Sequence, residues 1–157
     1  PPAPPGVVVR QARDRADHEQ LHRLRESTFV SHWGHHSRSF DDWWERLHRA
    51  VGVDPDQWWL ADLDGEPVGF CIGETRGVAG DAGGYVRTLG VEAAARGRGI
   101  ARHLLRVAFA DHARRGWAWT QLTVDSENST GATDLYRSVG MEPVEVIDAY
   151  ATRIVHG

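Results

Sequence analysis

The chain contains no lysine; all 18 of its basic residues are arginine. That absence removes the G-x-x-x-x-G-K-[ST] phosphate loop, which cannot be built without lysine, and leaves no lysine side chain for the protein to acylate on itself. Only one cysteine is present, Cys71, and it lies inside an apolar run. It cannot form an internal disulfide and reads as a small buried hydrophobe. No stretch approaches the roughly 18 apolar residues of a membrane span, and the N-terminal end lacks the basic-then-apolar order of a secretory signal. The expectation is a cytoplasmic protein with no membrane partner. Positive charge in excess is missing as well. The formal net charge is -4, which excludes the strongly basic profile of a general nucleic-acid binder.

What is present suits one compact domain: 157 residues, of which 41% are hydrophobic, are enough for a core. Proline is concentrated at the start, where Pro1, Pro2, Pro4 and Pro5 precede Gly6. Residues 1–6 are expected to form an extended linker, and residues 7–157 the domain. Val7 to Arg10 predicts a strand, and Leu21, Leu24 and Phe29 recur at helical spacing after it. Ser39, three residues before Asp42 and just ahead of Trp43, Trp44 and Leu47, is the expected N-cap of a second helix running to about Ala50. Trp58 to Asp62 and Pro67 to Glu74 read as strands joined through Asp64-Gly65, a two-residue hairpin signal. A glycine-rich loop, Gly77 to Gly84, leads to a further strand, Tyr85 to Val91. Ile100, Leu104, Leu105, Ala108 and Phe109 then share one helical face, closed by Gly116. Ala118 to Val124 predicts the next strand. Ala132, Leu135, Tyr136 and Val139 predict the buried face of a helix ending at Gly140, and Val144 to Ile154 closing strand material. The fold class is mixed α/β: an antiparallel front half followed by a β-α-β crossover, which should be parallel and right-handed.

Arg96-Gly97-Arg98-Gly99-Ile100-Ala101 stands between a strand and a helix, where it makes physical sense as an anion cradle. Glycines let the backbone approach a phosphate, the first helical N–H groups have no internal acceptor, and the helix dipole adds partial positive charge. Arg98 and Arg102 bring full charges. A dinucleotide fingerprint, G-x-G-x-x-G, competes weakly, because Arg102 stands where its last glycine should be.

With these residues in view, the chain resembles the GNAT N-acetyltransferases. The R-x-x-G-x-A segment, preceded by Leu89-Gly90-Val91 and followed by Leu104-Leu105, is similar to that family's acetyl-CoA motif. Leu122-Thr123-Val124, Asn128, Ala132, Leu135-Tyr136 and Gly140-Met141 continue the likeness in order, over about residues 58–145. The resemblance implies the GNAT fold, with parallel strands 4 and 5 splayed apart and about four flanking helices. It implies acetyl-CoA as co-substrate and a primary amine, of a small molecule first of all, as acceptor. It also implies residue roles: Leu89, Gly90 and Val91 pairing with the pantetheine arm; Gly97, Arg98, Gly99, Ile100, Ala101 and Arg102 on the pyrophosphate; Asn128 on the cofactor arm; and Tyr136 as the general acid that protonates the departing thiolate. No metal is required.

Two departures from the family pattern stand out. Ala132 follows Asn128 by four residues instead of three, so Ser129 competes for the asparagine's position. Where family members keep a carboxylate on the fourth or fifth strand, this chain has Tyr85 and Thr123. A base acting through water follows, with Glu74, Asp125 and Glu127 as candidates.

Other motifs have plainer readings. His18-Glu19-Gln20-Leu21-His22 spells the zincin HExxH, but on a short charged helix coincidence accounts for it better than a zinc site. His32, His35 and His36 around Trp33 fall in the loop that walls the acceptor site in the family. Trp43, Trp44, Trp58 and Trp59 read as core, and Trp117 and Trp119 as a pair on one face that meets a partner surface. The pattern from Phe29 to Gly34, with Gly131-Ala132 ahead of Leu135-Tyr136, resembles tandem GNAT proteins of actinobacterial type, among which mycothiol synthase is a related enzyme. A second GNAT domain or a homodimer is the expected partner. The alternatives to a small-molecule acetyltransferase are a non-catalytic CoA-binding or scaffold half of such a tandem, and a protein N-terminal or lysine acetyltransferase.

Overall fold

The computed structural model describes residues 2–29, 37–77, 82–124 and 131–144. Its elements follow in the order β1 (Val7–Gln11), α1 (Arg15–Phe29), α2 (Phe40–Arg49), β2 (Val53–Leu63), β3 (Glu66–Arg76), β4 (Gly83–Val91), α3 (Ile100–Arg114), β5 (Thr120–Leu122) and α4 (Ala132–Ser138), with a short 3₁₀ turn at Ala93–Ala95. The strands form one sheet in the order β1-β2-β3-β4-β5. The first four pair antiparallel and β4 pairs parallel with β5, as the crossover through α3 demands. Among the described residues no helix is long and apolar enough to cross a membrane.

Both faces of this sheet are covered, which is why β2 and β3 read as continuous apolar runs. Side chains alternate: Trp58, Leu60, Phe70 and Ile72 pack with Leu21, Leu24, Trp43 and Leu47 beneath α1 and α2. Trp59, Ala61 and Cys71 pack on the opposite face with Ile100, Leu104, Leu105 and Ala108 of α3. The β2–β3 turn has positive φ at both Asp64 (52°) and Gly65 (91°), the backbone a two-residue hairpin of type I′ requires. Ser39 caps α2, its hydroxyl accepting from Asp42 N–H at 3.2 Å. Ser39→Ala should therefore lower stability by about 1 kcal/mol, read as a shift in the urea midpoint at unchanged slope.

Several expectations need correction. Gly83 and Gly84 belong to β4 and not to a loop: a Cβ on Gly84 would lie 2.0 Å from His112 Nδ1, and one on Gly83 2.2 Å from the Trp119 indole. Glycine is needed there because these rings occupy the space. Trp119 is thus packed on the strand, and Trp117 lies against His112 with ring centroids 5.2 Å apart, so the two form internal contacts and not an open pair. The fifth strand is three residues long instead of seven. The segment before β1 is also anchored: Pro4 is half-buried, its carbonyl accepts from Val7 N–H at 3.1 Å, and Gly6 O accepts from Asp64 N–H at 2.9 Å. Val144 is exposed and outside any strand, and the rest of the expected closing strand lies outside the described residues.

Candidate active site

The parallel pairing of β4 with β5 covers only Gly84↔Thr120, Tyr85↔Gln121 and Val86↔Leu122. Beyond Val86, β4 continues for five residues with no partner on that edge among the described residues, and a cavity of about 840 Å³ fills the opening. Its walls are β4 from Val86 to Val91, Leu122 to Val124 after the fork, Arg25, Thr28 and Phe29 of α1, the start of α3, and Leu135 and Tyr136 of α4. The fork begins where the short β5 ends, at Leu122.

The backbone of β4 changes side within this stretch. Gly84 N–H donates to Trp119 O, toward β5, at 3.1 Å, whereas Glu92 N–H donates to Val68 O, toward β3, at 2.8 Å. Residues eight apart in a regular strand face the same way. One residue is therefore inserted between them, and the register puts it at Arg87, between the pairs Gly73↔Val86 and Ile72↔Thr88. As a result the amides of Leu89 and Val91, and not those of Thr88 and Gly90, face the fork. Gly90 lies against Phe70 and Thr28, which a Cβ would meet at 2.6 and 2.9 Å.

At the far end of the cavity stands the start of α3. Gly99 is its N-cap in the left-handed conformation (φ 80°), and Gly97 has φ 76°. A Cβ on Gly97 would meet nothing within 4 Å, and one on Gly99 only Pro4 Cγ at 3.6 Å, so the loop is open space bounded by backbone. Intrahelical bonding begins with His103 N–H donating to Gly99 O at 3.0 Å, so the amides before it have no acceptor inside the helix. Such a site fits an anion such as a pyrophosphate. Gly97, Gly99, Ile100, Ala101 and Arg102 line the cavity together with Leu89, Gly90 and Val91. Arg96 and Arg98 are both exposed, but Arg98 is outside the lining and Arg96 inside it, fixed by donation from its Nε to Val91 O at 3.0 Å. The first arginine of R-x-x-G-x-A was the signal for it. Arg102 also donates to Ser138 Oγ at 3.2 Å, tying α3 to α4.

Tyr136 lines the same cavity from α4 and packs on the α3 side of the core. Burial, and secondarily nearby Cys71, pushes its phenol above the ordinary tyrosine value, so it carries its proton at neutral pH. Glu74 is fully buried on β3 with both oxygens engaged: one accepts from Arg76 Nε at 2.7 Å, the other from Arg87 Nε at 2.5 Å. That arrangement ties β3 to β4 and leaves neither oxygen free to face the cavity. Tyr85 and Thr123, at the positions where the family pattern keeps carboxylates, meet across the fork, the phenol donating to Thr123 Oγ1 at 2.9 Å. Asn128, Ser129, Asp125, Glu127 and the His32–His36 loop lie outside the described residues. Of the HExxH pair, His18 is buried against Trp44 and Trp58, and no group of three metal-ligating side chains occurs among the described residues.

A mixed sheet that forks between two parallel strands above a glycine-led helix start defines a class. The chain belongs to the acetyltransferase (GNAT) family, whose model matches residues 18–141. The chain is 32% identical over 149 residues to the mycothiol acetyltransferase of Acidothermus cellulolyticus, a match covering 87% of this chain and 45% of that protein. The mycothiol acetyltransferase of Thermobispora bispora is 32% identical over 143 residues, covering 89% and 48%. The chain thus spans about half the length of the curated relatives it matches. Among solved structures, a GCN5-related N-acetyltransferase from Sphaerobacter thermophilus superposes with a TM-score of 0.74 at 33% identity, covering 90% of this chain and 43% of that one. An aminoglycoside acetyltransferase from an uncultured soil sample, in complex with sisomicin, shares the fold with a TM-score of 0.71 at 17% identity.

Proposed function

We propose that this domain moves an acetyl group from acetyl-CoA to a primary amine of a small molecule by direct attack within a ternary complex. The observation that carries the reading is the fork between β4 and β5, whose cavity is lined both by the left-handed glycines of the α3 start and by Tyr136 of α4. In this reading the amides leading into α3, with Arg96 and Arg102, hold the pyrophosphate, and Leu89 and Val91 pair with the pantetheine arm. Arg98, outside the cavity lining, remains a candidate for the pyrophosphate from the solvent side. Asn128 remains a candidate for the cofactor arm. The thioester supplies the acetyl group; the chain's own residues orient it, offer a backbone N–H to its carbonyl, and deliver the Tyr136 proton to the sulfur as its bond to carbon breaks. A small-molecule acceptor is favoured by the names of the relatives, mycothiol acetyltransferases of about twice this length. Their length also keeps a second reading in play, a CoA-binding half whose chemistry is completed by a further domain.

Calorimetric titration with acetyl-CoA tests the cradle directly. Binding in the micromolar range is expected, with CoA close behind and NAD inert. Gly99→Val should weaken acetyl-CoA at least tenfold, because a β-branched residue resists φ 80° by about 1–2 kcal/mol and its side chain would stand where the phosphate goes. An intact fold that binds no acetyl-CoA would sink the proposal.

A further inference from the structure

The inserted residue of β4 is gripped from the neighbouring strand. Arg87 holds Glu74, Glu74 holds Arg76, the Arg76 guanidinium lies 3.2 Å from the Tyr85 ring centroid, and Tyr85 donates to Thr123 where β5 leaves the sheet. The series runs from the bulge, under β4, to the point where the fork opens. Glu74 is 1% exposed, and two partly exposed guanidiniums neutralise it. A buried ion pair of this kind contributes little net stability against a well-packed apolar side chain, and its best-attested use is to fix register. Register is what matters here. Without the insertion at Arg87, Thr88 and Gly90 would turn their amides to the fork, and Leu89 and Val91 would turn away.

We propose that Glu74 is a positioning residue of the acyl-transfer site: by gripping Arg87 it locks the one-residue bulge of β4 and keeps the Leu89 amide aimed at the acyl carbonyl. This inference rests on the acetyl-CoA reading above. It assigns Glu74 a role other than proton acceptor, and it makes Arg87, which lines the cavity, the handle of the lock.

The test uses the full chain and acetyl-CoA labelled with carbon-13 at the acetyl carbonyl, with isotope-edited infrared spectra of the bound thioester and calorimetry of CoA and acetyl-CoA. In the native protein the carbonyl band should be red-shifted from its position in solution, as a hydrogen bond to the oxygen requires. In Arg87→Gln and Glu74→Gln most of that shift should be lost and the preference for acetyl-CoA over CoA should fall about fivefold, the worth of one backbone hydrogen bond. CoA itself should still bind through the untouched α3 cradle, weakened by no more than about tenfold as the Val91 amide loses its place on the pantetheine arm. Should Glu74→Gln fail to fold, Arg87→Gln decides, because its side chain reaches solvent. A native-like band in a CoA-binding Arg87→Gln protein overturns the proposal. Native protein that binds no acetyl-CoA, or binds it with an unshifted carbonyl, overturns it too, the former by removing the reading on which it rests.

Discussion

Replacing Tyr136 by phenylalanine should reduce kcat by about 10²–10³ while acetyl-CoA affinity stays within about twofold. The substitution removes one oxygen from a ring packed against the α3 side of the core and leaves its apolar contacts in place. The departing CoA thiolate then has to take its proton from solvent. Because burial raises the phenol above its ordinary value, the native side chain is fully protonated over the neutral range, so its role as acid sets no limb of the pH profile below about pH 10. A basic limb near neutrality would have to come from the acceptor amine. Steady-state kinetics with a panel of small primary amines, alongside calorimetry of each variant, checks both points. Equal turnover by Tyr136→Phe and native protein would assign the proton transfer elsewhere. A native protein that binds acetyl-CoA and turns over no amine would favour the half-enzyme reading.

The second large effect is on stability in mild acid, and it centres on His112. This ring is buried at the end of α3, beneath the point where β4 and β5 pair. Thr120 Oγ1 lies 2.8 Å from Nδ1, and Gln57 Oε1 lies 3.1 Å from Nε2. Gln57 donates from its own nitrogen to Asp54 and Thr75, so its oxygen accepts and His112 carries its hydrogen on Nε2. Burial is the main reason the imidazole titrates low, at about 4; Arg115 acts in the same direction and Asp111 against it. Above the unfolded value of about 6.5, neither state binds a proton and the full contribution is present. As pH falls from there, the unfolded chain protonates first, so stability drops until the folded ring protonates near 4. At about 1.4 kcal/mol per unit, the loss approaches roughly 3 kcal/mol. His18 and His103 are also held below their ordinary values by burial and add to the same slope. Urea unfolding between pH 7.5 and 4.5 should therefore show a falling midpoint, and His112→Gln should flatten it despite lower stability at pH 7.5. Parallel curves for the two proteins would exclude His112 as the source.

How far the sequence could be read depended on whether a feature is local. Ser39 was legible as a cap because a cap needs one hydroxyl and a backbone N–H three residues on. Asp64-Gly65 was legible because a two-residue hairpin needs positive φ at both positions. The glycine-led start of α3 and the alternation of β2 and β3 were legible for the same reason: their chemistry is written in neighbouring residues. The likeness to the family motif is what suggested the proposed roles of Tyr136 and the β4 backbone, which no periodicity would give.

What only the tertiary structure decided lies between segments distant in the chain. Gly83 and Gly84 look like loop residues until Trp119 and His112 are seen filling the space their side chains would need. Glu74 looks like a candidate base until two arginines take both its oxygens, and Arg96 looks like no more than the start of a motif until it is found in the cavity wall. The insertion at Arg87 cannot be read from β4 at all, because a bulge is a mismatch between two strands and exists only once β3 sets the register against which β4 is counted. The sequence by itself determined the elements, their order and the class of chemistry, since these rest on short-range patterns of polarity and backbone freedom. Which amides face the fork, which carboxylate is tied down and which histidine is buried were settled by packing, where the competition for a few cubic ångströms is between residues far apart in sequence.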